Sequence, residues 1–94
     1  VLTKENAWKQ YNRVDFGQQK HSKLIIRIYA VQPTTLEVRT EGINGTLLSE
    51  VKIMGHYDWI VIDSPVKESI EGIQDLQVIL KGTNPVEIDW ISFE

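Results

Sequence analysis

Between Ile70 and Phe93 the chain reads I-E-G-I-Q-D-L-Q-V-I-L-K-G-T-N-P-V-E-I-D-W-I-S-F, two apolar runs on either side of a short polar loop. In the first run Leu76, Val78 and Leu80 fall on one side, with Gln77 and Lys81 on the other. In the second, Val86, Ile88 and Trp90 alternate with Glu87 and Asp89. Side chains of an extended backbone point alternately to its two faces, so this period-two pattern predicts strands with one buried side. The loop Lys81-Gly82-Thr83-Asn84-Pro85 ends in a residue that cannot donate to a ladder, which predicts a break at the rim of a sheet.

The same pattern recurs upstream. Val14 and Phe16 flank Asp15 and predict a strand after Trp8-Lys9-Gln10-Tyr11. In Lys23 to Val31, Leu24, Ile26, Ile28 and Ala30 share one face, and Ile25, Arg27, Tyr29 and Val31 the other; apolar groups on both predict a central strand covered on both sides. Leu36, Val38 and Thr40 alternate with Glu37, Arg39 and Glu41, and Leu47, Ser49, Val51 and Ile53 with Leu48, Glu50 and Lys52. Between these two runs Asn44-Gly45 predicts the hairpin turn. Gly55-His56-Tyr57-Asp58 is a polar turn before a further run, Trp59 to Ser64, closed by Pro65. Residues 18–22 read as a loop and residues 67–74 as a crossing between sheets. Seven short runs without a helical stripe predict an all-β sandwich, and 94 residues hold one such domain, spanning residues 1–94.

Composition narrows the function. A net charge of −3 with no basic run argues against a nucleic-acid partner. No apolar run reaches the roughly 18 residues that suggest a membrane span. With no cysteine there is neither a disulfide nor a thiolate zinc site. No signal peptide is visible, and the opening Val-Leu-Thr-Lys reads as a mature or excised piece of something longer. His21 and His56, each in a polar turn, read as solvated, and the carboxylates of Glu37, Glu41 and Glu50 read as ordinary wet positions. No nucleophile, metal-binding or phosphate-cradling motif is present, so the chain is not expected to be an enzyme. Asn44-Gly45-Thr46 fits the glycosylation pattern and is equally explained as the turn itself.

What remains is aromatic residues near loops. Tyr57 and Trp59 bracket one turn, and Asn84 sits in another. An aromatic ring covers the C–H face of a sugar while amides bond its hydroxyls, and loops on a rigid β scaffold are where such groups are displayed. The alternative, that Trp59 begins a strand and packs at the edge of the core, accounts for the same residue.

Several segments carry a resemblance. Trp8-x-x-Tyr11-x-x-Val14-Asp15-Phe16-Gly17 resembles the W-x-x-Y-x-x-V-x-F-G segment of family 6 carbohydrate-binding modules. Leu36-Glu37-Val38-Arg39 resembles that family's I-E-L-R strand, and Gly45-Thr46-Leu47-Leu48 its G-T-L. Trp59 falls where its G-x-W lies. Gly72-Ile73-Gln74-Asp75-Leu76 with Leu80-Lys81-Gly82 resembles G-x-H-D-L-x-L-x-F-K-G, and Ile88-Asp89-Trp90-Ile91-Ser92-Phe93 the terminal L-D-W-F-x-F. The motifs run in the family's order from Trp8 to Phe93.

The resemblance implies a jelly-roll sandwich of the galactose-binding-domain-like kind. It further implies non-catalytic binding of polysaccharide by an appendage of a glycoside hydrolase that is secreted, periplasmic or at the cell surface. Its loop site implies Trp59 as the stacking ring and Asn84 as the hydroxyl-bonding amide, with Tyr57 a substitute for a Tyr that the family carries on a further N-terminal segment. Its concave sheet face implies a second surface, for which Trp8 and Tyr11 are the candidates. Phe16 and Trp90 match core positions, and Asp89 matches the C-terminal ligand of a structural calcium. One carboxylate cannot build the cage of about 6–8 oxygens that calcium takes, so Glu5, backbone carbonyls or a further segment would have to complete it. The rival function is a structural sandwich domain of a larger glycoside hydrolase, binding nothing. It requires Tyr57 and Trp59 to be buried rather than displayed.

Overall fold

The computed structural model describes residues 1–18, 20–68 and 70–94. Gln19, in the expected loop at 18–22, and Ser69, in the expected crossing at 67–74, lie outside the described residues. Seven strands follow in order: β1 (Trp8–Asp15), β2 (Lys23–Tyr29), β3 (Thr34–Thr40), β4 (Thr46–Ile53), β5 (Ile60–Pro65), β6 (Ile73–Leu80) and β7 (Glu87–Phe93). They form two antiparallel sheets, one ordered β1-β6-β3-β4 and the other β5-β2-β7. Among the described residues no helix is long and apolar enough to cross a membrane.

The alternation sets what each sheet buries. Leu36 and Val38 of β3 face Leu80 and Val78 of β6, and Leu24, Ile26 and Ile28 of β2 come from the opposite sheet; all seven are fully buried. Directly opposite residues share a face, so these rows interdigitate between the sheets as one core. The chain changes sheet at every connection except β3–β4.

Three expectations change where a ladder slips. Asp89 is the extra residue of a bulge opposite Arg27 and Ile28. A bulge shifts the period-two phase by one. Ile88 therefore points inward, Trp90 outward, and Ile91 and Phe93 inward again; Trp90 is 41 % exposed on the outer face instead of in the core. In β4 a slip between Val38 and Arg39 buries both Leu48 and Ser49. In the β3–β4 connection the positive φ falls on Glu41 and Gly42 (64° and 98°) and not on Asn44-Gly45, although the Gly45 N–H still closes a turn on the Gly42 carbonyl at 3.0 Å. Gly45 is needed for space, since a Cβ there would lie 1.8 Å from the Thr40 carbonyl oxygen. On β6, Gln77 and Ile79 are buried although they face outward, because β6 is an interior strand flanked by β1 and β3. His21 is not solvated either: its ring sits against Phe16 and Phe93, and Nε2 donates to the Phe16 carbonyl at 2.7 Å. Phe16 is buried, as expected.

Candidate functional site

One end of the sandwich gathers the β2–β3, β4–β5 and β6–β7 connections. The His56 N–H donates to the Ala30 carbonyl (2.8 Å), and the Asn84 side-chain amide donates to the Pro33 carbonyl (2.8 Å). Two loops are thus tied to the same short connection, one at each of its ends. Gly55 permits the first tie: it takes φ of 94°, and a Cβ on it would meet the Val31 carbonyl oxygen at 2.8 Å. Within the β4–β5 loop the Asp58 N–H donates to His56 Nδ1 and the Trp59 N–H to Asp58 Oδ1. These local bonds hold the loop, and Tyr57 stands at its tip with 84 % of its surface exposed. Met54, just after β4, is equally bare. A groove of about 400 Å³ runs from Met54 and Lys52 past Pro33 to Thr83 and Asn84.

Trp59 takes the other direction. Its ring lies 5.7 Å from that of Tyr29, the Arg27 guanidinium stands 4.9 Å from its centroid, and Arg27 pairs with Asp89 at 2.5 Å. Trp59 is half-buried on the outer face of the three-stranded sheet, just before β5. Tyr57 and Trp59 are therefore neither side by side in solvent nor both buried. Asn84 is half-buried, and because its NH₂ is engaged at Pro33, its Oδ1 is left as an acceptor.

The outer face of the four-stranded sheet is a second surface. Trp8, 48 % exposed, stands opposite Ile79; Gln10 stands opposite Gln77 and accepts its amide at 3.3 Å. Glu37 lies across Ile79 from Trp8 and holds Arg39 at 3.0 Å. Nothing in the sequence marks Gln77 or Glu37 as site residues, whereas the Trp8-x-Gln10 spacing puts Gln10 on the same face as Trp8. Tyr11 does not join them. It stands opposite Leu76, packs against the core, and its hydroxyl is buried without a partner.

Asp89, the calcium candidate, is committed to Arg27. Among the described residues no three His, Cys, Asp or Glu side chains converge on one point. The side chains of the described residues do not fit a calcium cage.

A sandwich of two antiparallel sheets with displayed loops at one end and a polar, tryptophan-bearing sheet face defines the class of β-sandwich binding modules. Residues 1–94 match the model of the carbohydrate binding module (family 6), and the chain belongs to that family. It is thus a non-catalytic carbohydrate-binding module. Among solved structures it superposes on a family 6 module of Clostridium stercorarium in complex with cellobiose (TM-score 0.87, 22 % identity, 97 % of this chain and 69 % of that one). It also superposes on a β-1,3-glucan-binding module of Bacillus halodurans (TM-score 0.86, 25 % identity, 98 % of this chain and 72 % of that one). In sequence it is 29 % identical over 92 residues to the endo-1,4-beta-xylanase A of Thermoclostridium stercorarium, covering 95 % of this chain and 14 % of that protein.

Proposed function

We propose that this module binds a β-linked polysaccharide of the xylan or β-glucan type at the loop end, and so holds an attached glycoside hydrolase on its substrate outside the cell. The observation that carries this reading is the display of Tyr57, a large aromatic ring held bare at a loop tip by backbone hydrogen bonds. A bare ring fixed without side-chain packing is available to stack on a sugar face. Asn84 Oδ1, fixed through its NH₂ at Pro33, accepts a hydroxyl, and the groove that Asn84 lines with Pro33 and Met54 runs along the bound chain. Trp59 supports the loop through Tyr29 and Arg27 and does not itself stack.

The choice of polysaccharide rests on relatives whose descriptions name cellobiose, xylose and β-1,3-glucan as ligands, and on the xylanase likeness. Binding is independent of calcium in this reading, because Asp89 is held by Arg27. The outer face around Trp8, Gln10 and Glu37 serves as a second, weaker surface.

The test is affinity gel electrophoresis on xylan, β-glucan, agarose and galactan, with calcium and with chelator. Retention on xylan or β-glucan that Tyr57→Ala abolishes and chelator leaves unchanged supports the reading. A cooperatively folded sample retained by none of these glycans is instead a structural domain.

A further inference from the structure

The turn that carries Tyr57 is closed by a side chain. The His56 N–H is anchored on the Ala30 carbonyl at 2.8 Å, and one residue past Tyr57 the Asp58 N–H donates to His56 Nδ1 at 3.2 Å. This is the reach of an Asx turn, in which an Asn or Asp oxygen accepts the N–H two residues on. Here a ring nitrogen holds the place of that oxygen. The backbone of Tyr57 is thus fixed before the residue by Ala30 and after it by the imidazole.

A ring nitrogen accepts only while it carries no proton, so the bond fixes the tautomer, with the proton on Nε2. A second proton turns Nδ1 into a donor that faces the Asp58 N–H, donor against donor, and the ring has to turn away. The charged group beside it is Asp58, whose Oδ1 accepts the Trp59 N–H at 2.8 Å; an imidazolium that takes this carboxylate instead draws it off Trp59. The Ala30–Pro33 connection, to which the loop is tied, has no ionisable side chain, and Lys52, near the end of β4, is turned to Glu50 at 3.8 Å. Both routes open the turn. The closed turn is the form without the second proton, so acid favours the open one.

We propose that His56 is a positioning residue for glycan binding: its unprotonated Nδ1 holds Tyr57 in the displayed pose, and protonation of the ring weakens the site. The inference rests on the loop-end reading of that site. Histidine is the side chain whose charge changes between about pH 5 and 8, so a module built this way holds its glycan at neutral pH and lets it go in acid.

Isothermal titration with a neutral xylo- or cello-oligosaccharide across that range, with the His56 ring followed by NMR, tests the proposal. Such a ligand has no group that titrates there. The expected result is a loss of roughly fivefold in affinity toward acid, the worth of one net hydrogen bond, with a midpoint that matches the ring's own. His56→Asn, whose Oδ1 closes the same turn without titrating, should keep the affinity of the alkaline end throughout. His56→Ala should bind at the alkaline end as weakly as the parent does in acid. His21, the other histidine, is intact in both variants and sits against Phe16 and Phe93. Parent and His56→Asn losing affinity in parallel overturns the proposal; so does a neutral ring whose proton lies on Nδ1, a result that needs no variant. Tyr57→Ala separates the two claims. Alkaline binding that it leaves untouched removes the loop-end reading and this proposal together, whereas binding that it abolishes, with the parent's affinity flat across pH, removes the proposal alone.

Discussion

At Tyr57 the ring is held in solvent by its backbone, since the bonds that shape the loop run through His56, Asp58 and Trp59. Removing the ring should therefore leave the fold intact. Tyr57→Ala is expected to weaken glycan binding about tenfold or more, the loss that ~1.4 kcal/mol produces, with an unchanged melting temperature. Isothermal titration and a thermal scan check the two halves. Trp59→Ala should behave in the opposite way. It removes a half-buried ring from Tyr29 and Arg27, and should cost about 1–3 kcal/mol of stability in urea unfolding while the folded fraction still binds. The identity of the two aromatics was legible from the turn around them. Which one faces solvent was not, because two residues of separation in a turn does not fix a common face as it does in a strand.

At the scale of strands and loops, six of the seven expected runs overlap the strands that alternation places there, while β1 begins at Trp8 and ends before Phe16 instead of lying on Val14–Phe16. The bulges were not legible. Nothing in I-D-W-I-S-F marks Asp89 as the extra residue, and one inserted residue is enough to turn Trp90 from core to surface. The signal was present in hindsight as a mismatch: Ile88 and Trp90 cannot share a face with Ile91 and Phe93 in an unbroken strand. Likewise Tyr11, immediately before the Asn12–Arg13 slip, faces the core although its neighbours on β1 are exposed. The β4–β5 loop carries a prediction at this scale. Gly55→Ala forces a Cβ against the Val31 carbonyl at a φ that L residues avoid, and should cost about 1–3 kcal/mol. Because the same glycine seats the loop that holds Tyr57, the variant should also weaken glycan binding in its folded state, as titration below its melting temperature would show.

For the whole molecule, one core serves both sheets, and the site depends on it only through the loops. Ile26→Ala, at a fully buried position on the central strand β2, should destabilise by about 2–5 kcal/mol in urea without changing the affinity of the folded protein. Chelation should change neither stability nor binding, since Asp89 is satisfied by Arg27 and no carboxylate cluster converges among the described residues. The most direct test of the loop-end site is a heteronuclear NMR titration of the module with a xylo- or cello-oligosaccharide. The amides expected to shift first and furthest lie in the β4–β5 loop around Tyr57 and the β6–β7 loop around Asn84. Shifts confined to the strands that carry Trp8, Gln10 and Glu37, with those loops unmoved, would contradict it.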